Sequence, residues 1–167
     1  FRSIGYSWEA MPFRSTLTRK ALYELLERVS RTFALSNRML PRRFRHPMTV
    51  AYLLFRVSDY LEDNPVLGRR EKADLLHSWQ GVLAGTYSQR KLEGELQPLP
   101  WSDSEAEVAH RFGQIFERLN DLRPQIGTAI RRRAQETTRG MELWQIKGPQ
   151  VRRSEEHTSE LQSLLII

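Results

Sequence analysis

The sequence predicts an all-α protein, and three observations carry that prediction. Apolar residues recur at three- and four-residue spacing along most of the chain, as in Leu22, Leu25, Leu26 and Val29. Helix-ending signals, among them Pro41, Pro65, Gly68 and Pro124, fall between those stretches. No segment alternates apolar and polar residues with the period of two that a half-buried strand needs.

The elements follow in order. A first helix carries Leu22, Leu25, Leu26, Val29 and Phe33 on one stripe. "LPRRFRHP" interrupts it with Pro41 and Pro47 on either side of a basic turn, and Pro47 suits the first turn of the next helix. That second helix runs to about Asn64, where Pro65 and Gly68 end it. A third begins near Arg69 and carries Leu75, Leu76, Trp79 and Leu83. "GTYSQRKLEGELQPLP" reads as a polar connection. A fourth helix opens in "WSDSEAEVAHRF", with Ser102 or Asp103 as N-cap and acids in its first turn. Pro124 separates it from a last helix with Ile126, Ile130, Met141 and Trp144. No repeat and no long linker divides the chain.

Composition narrows the function classes. The 167 residues suit one domain large enough to bury a core, and 40% hydrophobic with 28% charged residues is globular, not disordered. The chain has no cysteine, which excludes disulfides, thiol nucleophiles and cysteine metal sites. No apolar run reaches membrane-span length and no signal peptide is visible, so a soluble cytoplasmic protein is expected. The net charge of +6 invites anionic partners, although an arginine-rich solvated surface gives the same balance.

Against this basic background "FRVSDYLEDN" stands out, because Asp59, Glu62 and Asp63 crowd the end of a helix. The macrodipole disfavours acids there, and like charges at i,i+4 repel. On a helical wheel Tyr52, Arg56, Asp59 and Asp63 share one strip, with Glu62 and Phe55 beside it. Val50, Leu54, Val57 and Leu61 lie opposite and face the core. The plain reading is a solvated outer face. The sharper one is a hard-cation site, since carboxylates at i,i+4 can hold Mg²⁺ and leave its other positions to waters or a substrate diphosphate.

Two blocks give the chain a resemblance. "VSRTFALSNRMLP" contains Ser30, Arg31, Thr32 and Phe33, and "VAYLLFRVSDYLED" contains Tyr52, Arg56, Asp59, Glu62 and Asp63. In this order and separation they resemble the N-terminal half of the squalene/phytoene synthase family, over roughly Leu22 to Trp144. Gly140 and Met141 in "RRRAQETTRGMELW" add a weaker match. The resemblance implies an all-α isoprenoid-synthase-type helical bundle around a central cavity. It implies head-to-head condensation of two farnesyl or geranylgeranyl diphosphates, with Mg²⁺ as cofactor and NADPH added in squalene-type members. Asp59 and Asp63 would then be metal ligands supported by Glu62. Ser30, Arg31, Thr32 and Arg56 would contact diphosphate oxygens, and Tyr52 and Phe33 would line the cavity and steady carbocations. Each has a plainer alternative: Phe33 as core, Ser30 or Thr32 bonded to its own helix, Arg56 neutralising Asp59.

The chain also departs from that family. A second aspartate-rich motif and a following tyrosine-containing helix are expected downstream and are missing. Instead "RSEEHTSELQS", Arg153 to Ser163, resembles the translation of a sequencing-adapter oligonucleotide; a capped amphipathic helix is the alternative. The expected division is a ragged segment at 1–14 with Met11 as a candidate start, the N-terminal part of a synthase domain at 15–152, and an adapter-derived tail at 153–167. A fragment of this kind, truncated to about half the bundle, is expected to be inactive by itself. Two rival readings stay open. One is a non-catalytic relative acting in binding or assembly. The other is a basic helical module for nucleic acid or a membrane surface, suggested by "PRRFR" and Arg131 to Arg133. On the synthase reading no nucleic acid is expected, and membrane contact would be peripheral, at an inner face.

Overall fold

The computed structural model describes residues 17–148, which form eight helices and no strand. In order they are α1 (Arg19–Val29), α2 (Arg31–Met39), α3 (Arg42–Asp63), α4 (Arg69–Ala84), α5 (Gln89–Leu96), α6 (Ser104–His110), α7 (Phe112–Asn120) and α8 (Pro124–Lys147). The expected segments at 1–14 and 153–167, with Met11, lie outside the described residues. Among the described residues no helix is long and apolar enough to cross a membrane.

The 22-residue α3 is the central strut, packed by α1, α2, α4, α6, α7 and α8. Its expected core face is buried: Val50, Leu54, Val57 and Leu61 are each fully enclosed. On the α4 and α8 side a polar chain crosses the core. Trp79 Nε1 donates to Ser58 Oγ at 3.0 Å, Ser58 and Thr138 hydroxyls lie 2.8 Å apart, and Thr138 Oγ1 donates to the Ala134 carbonyl at 2.7 Å. With Thr138 donating to the carbonyl, the Ser58 proton goes to Thr138, so each side-chain polar group of this chain of bonds is satisfied and three helices are held in one register. Trp79 also meets Phe112 edge-on, with centroids 5.4 Å apart.

Four boundaries differ from the sequence expectation, each for a local reason. The first helix breaks at Ser30, whose backbone is extended (φ −153°, ψ 98°). Ser30 N–H closes α1 on the Leu26 carbonyl at 2.8 Å, and its hydroxyl opens α2 by accepting from Phe33 N–H at 3.2 Å. The basic turn is helical: α3 starts five residues before Pro47, with Pro41 as N-cap. Pro47 removes one ladder bond near the helix start. Added bonds brace that stretch, because the buried Asn37 side chain and Thr49 hydroxyl both donate to the Arg45 carbonyl, at 3.2 and 2.8 Å. The expected polar connection contains α5, which buries Leu92 and Leu96 one turn apart. The fourth helix divides at Arg111 into α6 and α7. Its N-cap is Asp103, whose Oδ1 accepts from Glu105 N–H at 3.0 Å and Ala106 N–H at 2.8 Å.

Candidate functional site

The break at Ser30 builds the site. A continuous helix would carry Phe33 on the stripe of Leu22, Leu25 and Leu26. The extended Ser30 redirects α2, and Phe33 stacks instead on Tyr52 of α3, with centroids 4.0 Å apart and planes at 19°. The two sequence blocks are therefore in direct contact, ring on ring.

One turn beyond Tyr52 on the same strip, Arg56 is three-quarters buried and binds two carboxylates. Its Nη1 donates to Asp59 Oδ2 at 2.8 Å, and its Nη2 pairs with Glu105 at the start of α6. The Arg56 Nε is buried without a partner among the described residues. A guanidinium held between two carboxylates is fixed in direction, and its remaining donor is the one left to satisfy. Arg56 does neutralise Asp59, as the plainer reading held, and it also ties α3 to α6.

The three acids have different surroundings. Asp59 leans on Arg56, while Glu62 lies toward α4 and α8, where Gln145 and Lys72 favour its ionised form. Asp63 is exposed at the helix end and lines a small cleft of about 280 Å³ with Tyr60, Asp103 and Glu105. Burial raises the Asp59 carboxyl above its ordinary value, against the lowering effect of Arg56 and with a further push from Asp63. Burial also raises Glu62, reinforced by Asp63 and Asp59. Their ionised forms are thus held at a cost in the fold. Among the described residues no three acids or histidines converge closely enough to form a complete metal cage.

Ser30 caps α2, as its plainer reading held. Thr32 is exposed, and its carbonyl accepts from the Ser36 hydroxyl at 3.1 Å. Arg31 has no ion-pair partner among the described residues. It lines an open cleft of about 840 Å³ with Arg28, Arg38, Leu35 and Ser104. Ser104 adjoins Glu105, so this cleft lies beside the Arg56 bridge. Gly140 is exposed on α8, and Met141 packs partly against the core. Of the Arg131–Arg133 run, Arg132 and Arg133 pair with Glu136 in solvent, while Arg131 lies over the Phe116 ring at 4.5 Å.

Glu105, Gln145 and Lys72 carry no signal in the sequence that links them to the acidic strip. Glu105 reads there only as a first-turn acid matching a helix dipole.

The bundle's central helix thus ends in three carboxylates beside a cleft lined by Arg28, Arg31 and Arg38 together with Glu24 and Glu27. The chain belongs to the squalene/phytoene synthase family, whose description matches residues 26–145. It is 40% identical over 57 residues to the Botryococcus squalene synthase of Botryococcus braunii, a stretch covering 34% of this chain and 12% of that protein. It is 34% identical over 64 residues to the squalene synthase of Bos taurus, covering 38% of this chain and 15% of that protein. The matched stretches thus span well under two thirds of either relative.

Proposed function

We propose that this chain supplies the first diphosphate-binding half of an enzyme that condenses two prenyl diphosphates head to head into a squalene- or phytoene-type product. The observation that carries the reading is the stack of Phe33 on Tyr52, which sets the Ser30–Phe33 segment against the strip of Arg56, Asp59 and Asp63. Each block alone has an ordinary explanation; their contact does not follow from either.

The donors suit Mg²⁺. They are all carboxylate oxygens, two of them raised by burial and mutual repulsion, and a divalent cation offsets both effects. Asp59 and Asp63 would hold it, with Glu62 in support; when bound, the ion supplies Lewis-acid stabilisation of a departing diphosphate. The chain's own residues do the rest. Arg31, without an ion-pair partner among the described residues, offers its guanidinium to diphosphate oxygens, and Arg56 is held in place by Glu105 for the same task. The outward faces of the Phe33–Tyr52 stack would offer π density to a developing carbocation. Acids on a single helix form one half of a clamp, so two diphosphates require a second acidic motif from elsewhere in a longer protein.

The test uses a longer protein containing this chain, incubated with Mg²⁺ and farnesyl or geranylgeranyl diphosphate, with and without NADPH. Diphosphate release and a head-to-head hydrocarbon are expected. NADPH dependence would mark a squalene-type outcome. Asp59→Asn with Asp63→Asn should lower kcat at least about 100-fold, the scale of a lost electrostatic contact to the transition state. A folded protein that turns over neither substrate contradicts the proposal and favours a non-catalytic relative.

A further inference from the structure

The opposite end of α3 carries a second concentration of charge. His46 lies thirteen residues before Asp59, about 20 Å along the helix at ~1.5 Å per residue. Around it is a cleft of about 420 Å³, room for on the order of ten waters. Arg19 of α1, Arg42 and Arg43 of α3, Arg118 of α7 and Arg123 at the start of α8 all line it. The facing carboxylate is Asp121, which Arg118 already binds at 2.9 Å. Arg19, Arg42 and Arg123 have no ion-pair partner among the described residues, and Arg43 lies over the Phe44 ring at 4.8 Å.

Five like charges converging on one concavity repel each other unless something answers them. Backbone donors add to the demand. Both α3 and α8 begin at residues that give no side-chain cap, Pro41 and Arg123, so first-turn N–H groups at Arg42, Arg43 and Gln125 are left open beside the arginines. His46 Nδ1 and Arg118 Nε are buried without partners among the described residues. His46 is held below its ordinary pKa, by burial first and then by Arg19 and Arg118, with Asp121 opposing.

We infer that this cleft between α1, α3, α7 and the start of α8 is a second anion site, separate from the acidic strip, which takes a phosphate monoester or diphosphate group without a metal ion. Guanidinium forks at several angles suit the several oxygens of such a group. The group can belong to a soluble phosphate or to a lipid headgroup, and Phe44 and Met48 stand exposed at and near the rim.

The test titrates inorganic pyrophosphate into the full chain in EDTA, where a metal-dependent acidic strip contributes nothing. A parallel arm measures sedimentation with vesicles of phosphatidylcholine alone or with phosphatidic acid. Saturable one-to-one binding is expected. The pair Arg42→Glu and Arg123→Glu should weaken it at least tenfold, while the charge-matched pair Arg90→Glu and Arg133→Glu should change it less than twofold. Both target residues are exposed and without an ion-pair partner among the described residues, and an acid at the first turn of α3 favours the helix, so the variant should fold, as circular dichroism would check. Bound anion should also raise the His46 titration midpoint followed by NMR, since it offsets the surrounding arginines. Binding of pyrophosphate assigns a soluble ligand, and binding confined to phosphatidic acid vesicles with the same ranking of variants assigns a headgroup. Equal weakening by both variant pairs, or no binding in either arm, overturns the site.

Discussion

Replacing the stacked rings singly and together gives the sharpest stability test of how the two blocks meet. Phe33 and Tyr52 are each partly buried, so Phe33→Leu and Tyr52→Leu should cost about 1 kcal/mol apiece, the scale of a core swap that keeps most of the volume. If each ring packed independently against the core, the double variant would cost the sum. With centroids 4.0 Å apart and planes at 19°, the rings share an interaction worth about 0.5–1.5 kcal/mol beyond the area they bury. The double variant should therefore be less destabilised than the sum by that amount. Urea unfolding of the four proteins measures it, because independent sites add to within about 0.3–0.5 kcal/mol. Additive costs within that error would refute the stack, and with it the argument that Ser30 brings the two blocks together.

Other consequences are direct. Ser30→Ala should cost about 1 kcal/mol through the lost N-cap of α2, and Ser30→Gly only a few tenths, both read from urea midpoints. Ser58→Ala leaves the buried Trp79 N–H without its acceptor and should cost about 1–3 kcal/mol by the same assay. Glu62 has a folded pKa raised by burial and by Asp63 and Asp59, so the native state holds its proton more tightly than the unfolded chain. Stability from this group is present at acid pH and falls as pH rises from the ordinary glutamate range through the raised value. Glu62→Gln should therefore raise the Tm at pH 7.5, and the gain should vanish near pH 3, where both states are protonated. Arg56→Met should destabilise the fold more at pH 7.5 than at pH 3, because it leaves Asp59 and Glu105 facing each other without a cation.

The periodic stripes made the fold class and the buried face of α3 legible, since Val50, Leu54, Val57 and Leu61 obey a rule that needs only their own spacing. The break at Ser30 was harder to read. Its capping role depends on three residues of local geometry, and the Leu22–Phe33 spacing fits a continuous helix equally well. Pro47 misled because prolines favour the first turn, whereas here Asn37 and Thr49 brace a helix that starts earlier. At the site, the strip from Tyr52 to Asp63 was visible on a wheel, but its partners were not. Glu105 reaches Arg56 across 49 positions, and Gln145 comes to Glu62 across a still longer separation in sequence. Such pairings are decided by how α6 and α8 dock, and a helical wheel carries no information about docking. The Trp79–Ser58–Thr138 chain was hidden for the same reason.

The central claim is that the acidic end of α3 holds Mg²⁺ for a prenyl diphosphate. Calorimetric titration of farnesyl diphosphate into this chain, with and without Mg²⁺, tests it most directly when the wild type is compared with Asp59→Asn plus Asp63→Asn. The account predicts a magnesium-dependent component of binding that the double variant loses, leaving only metal-independent heat. A magnesium-dependent component that survives unchanged in the variant would contradict it.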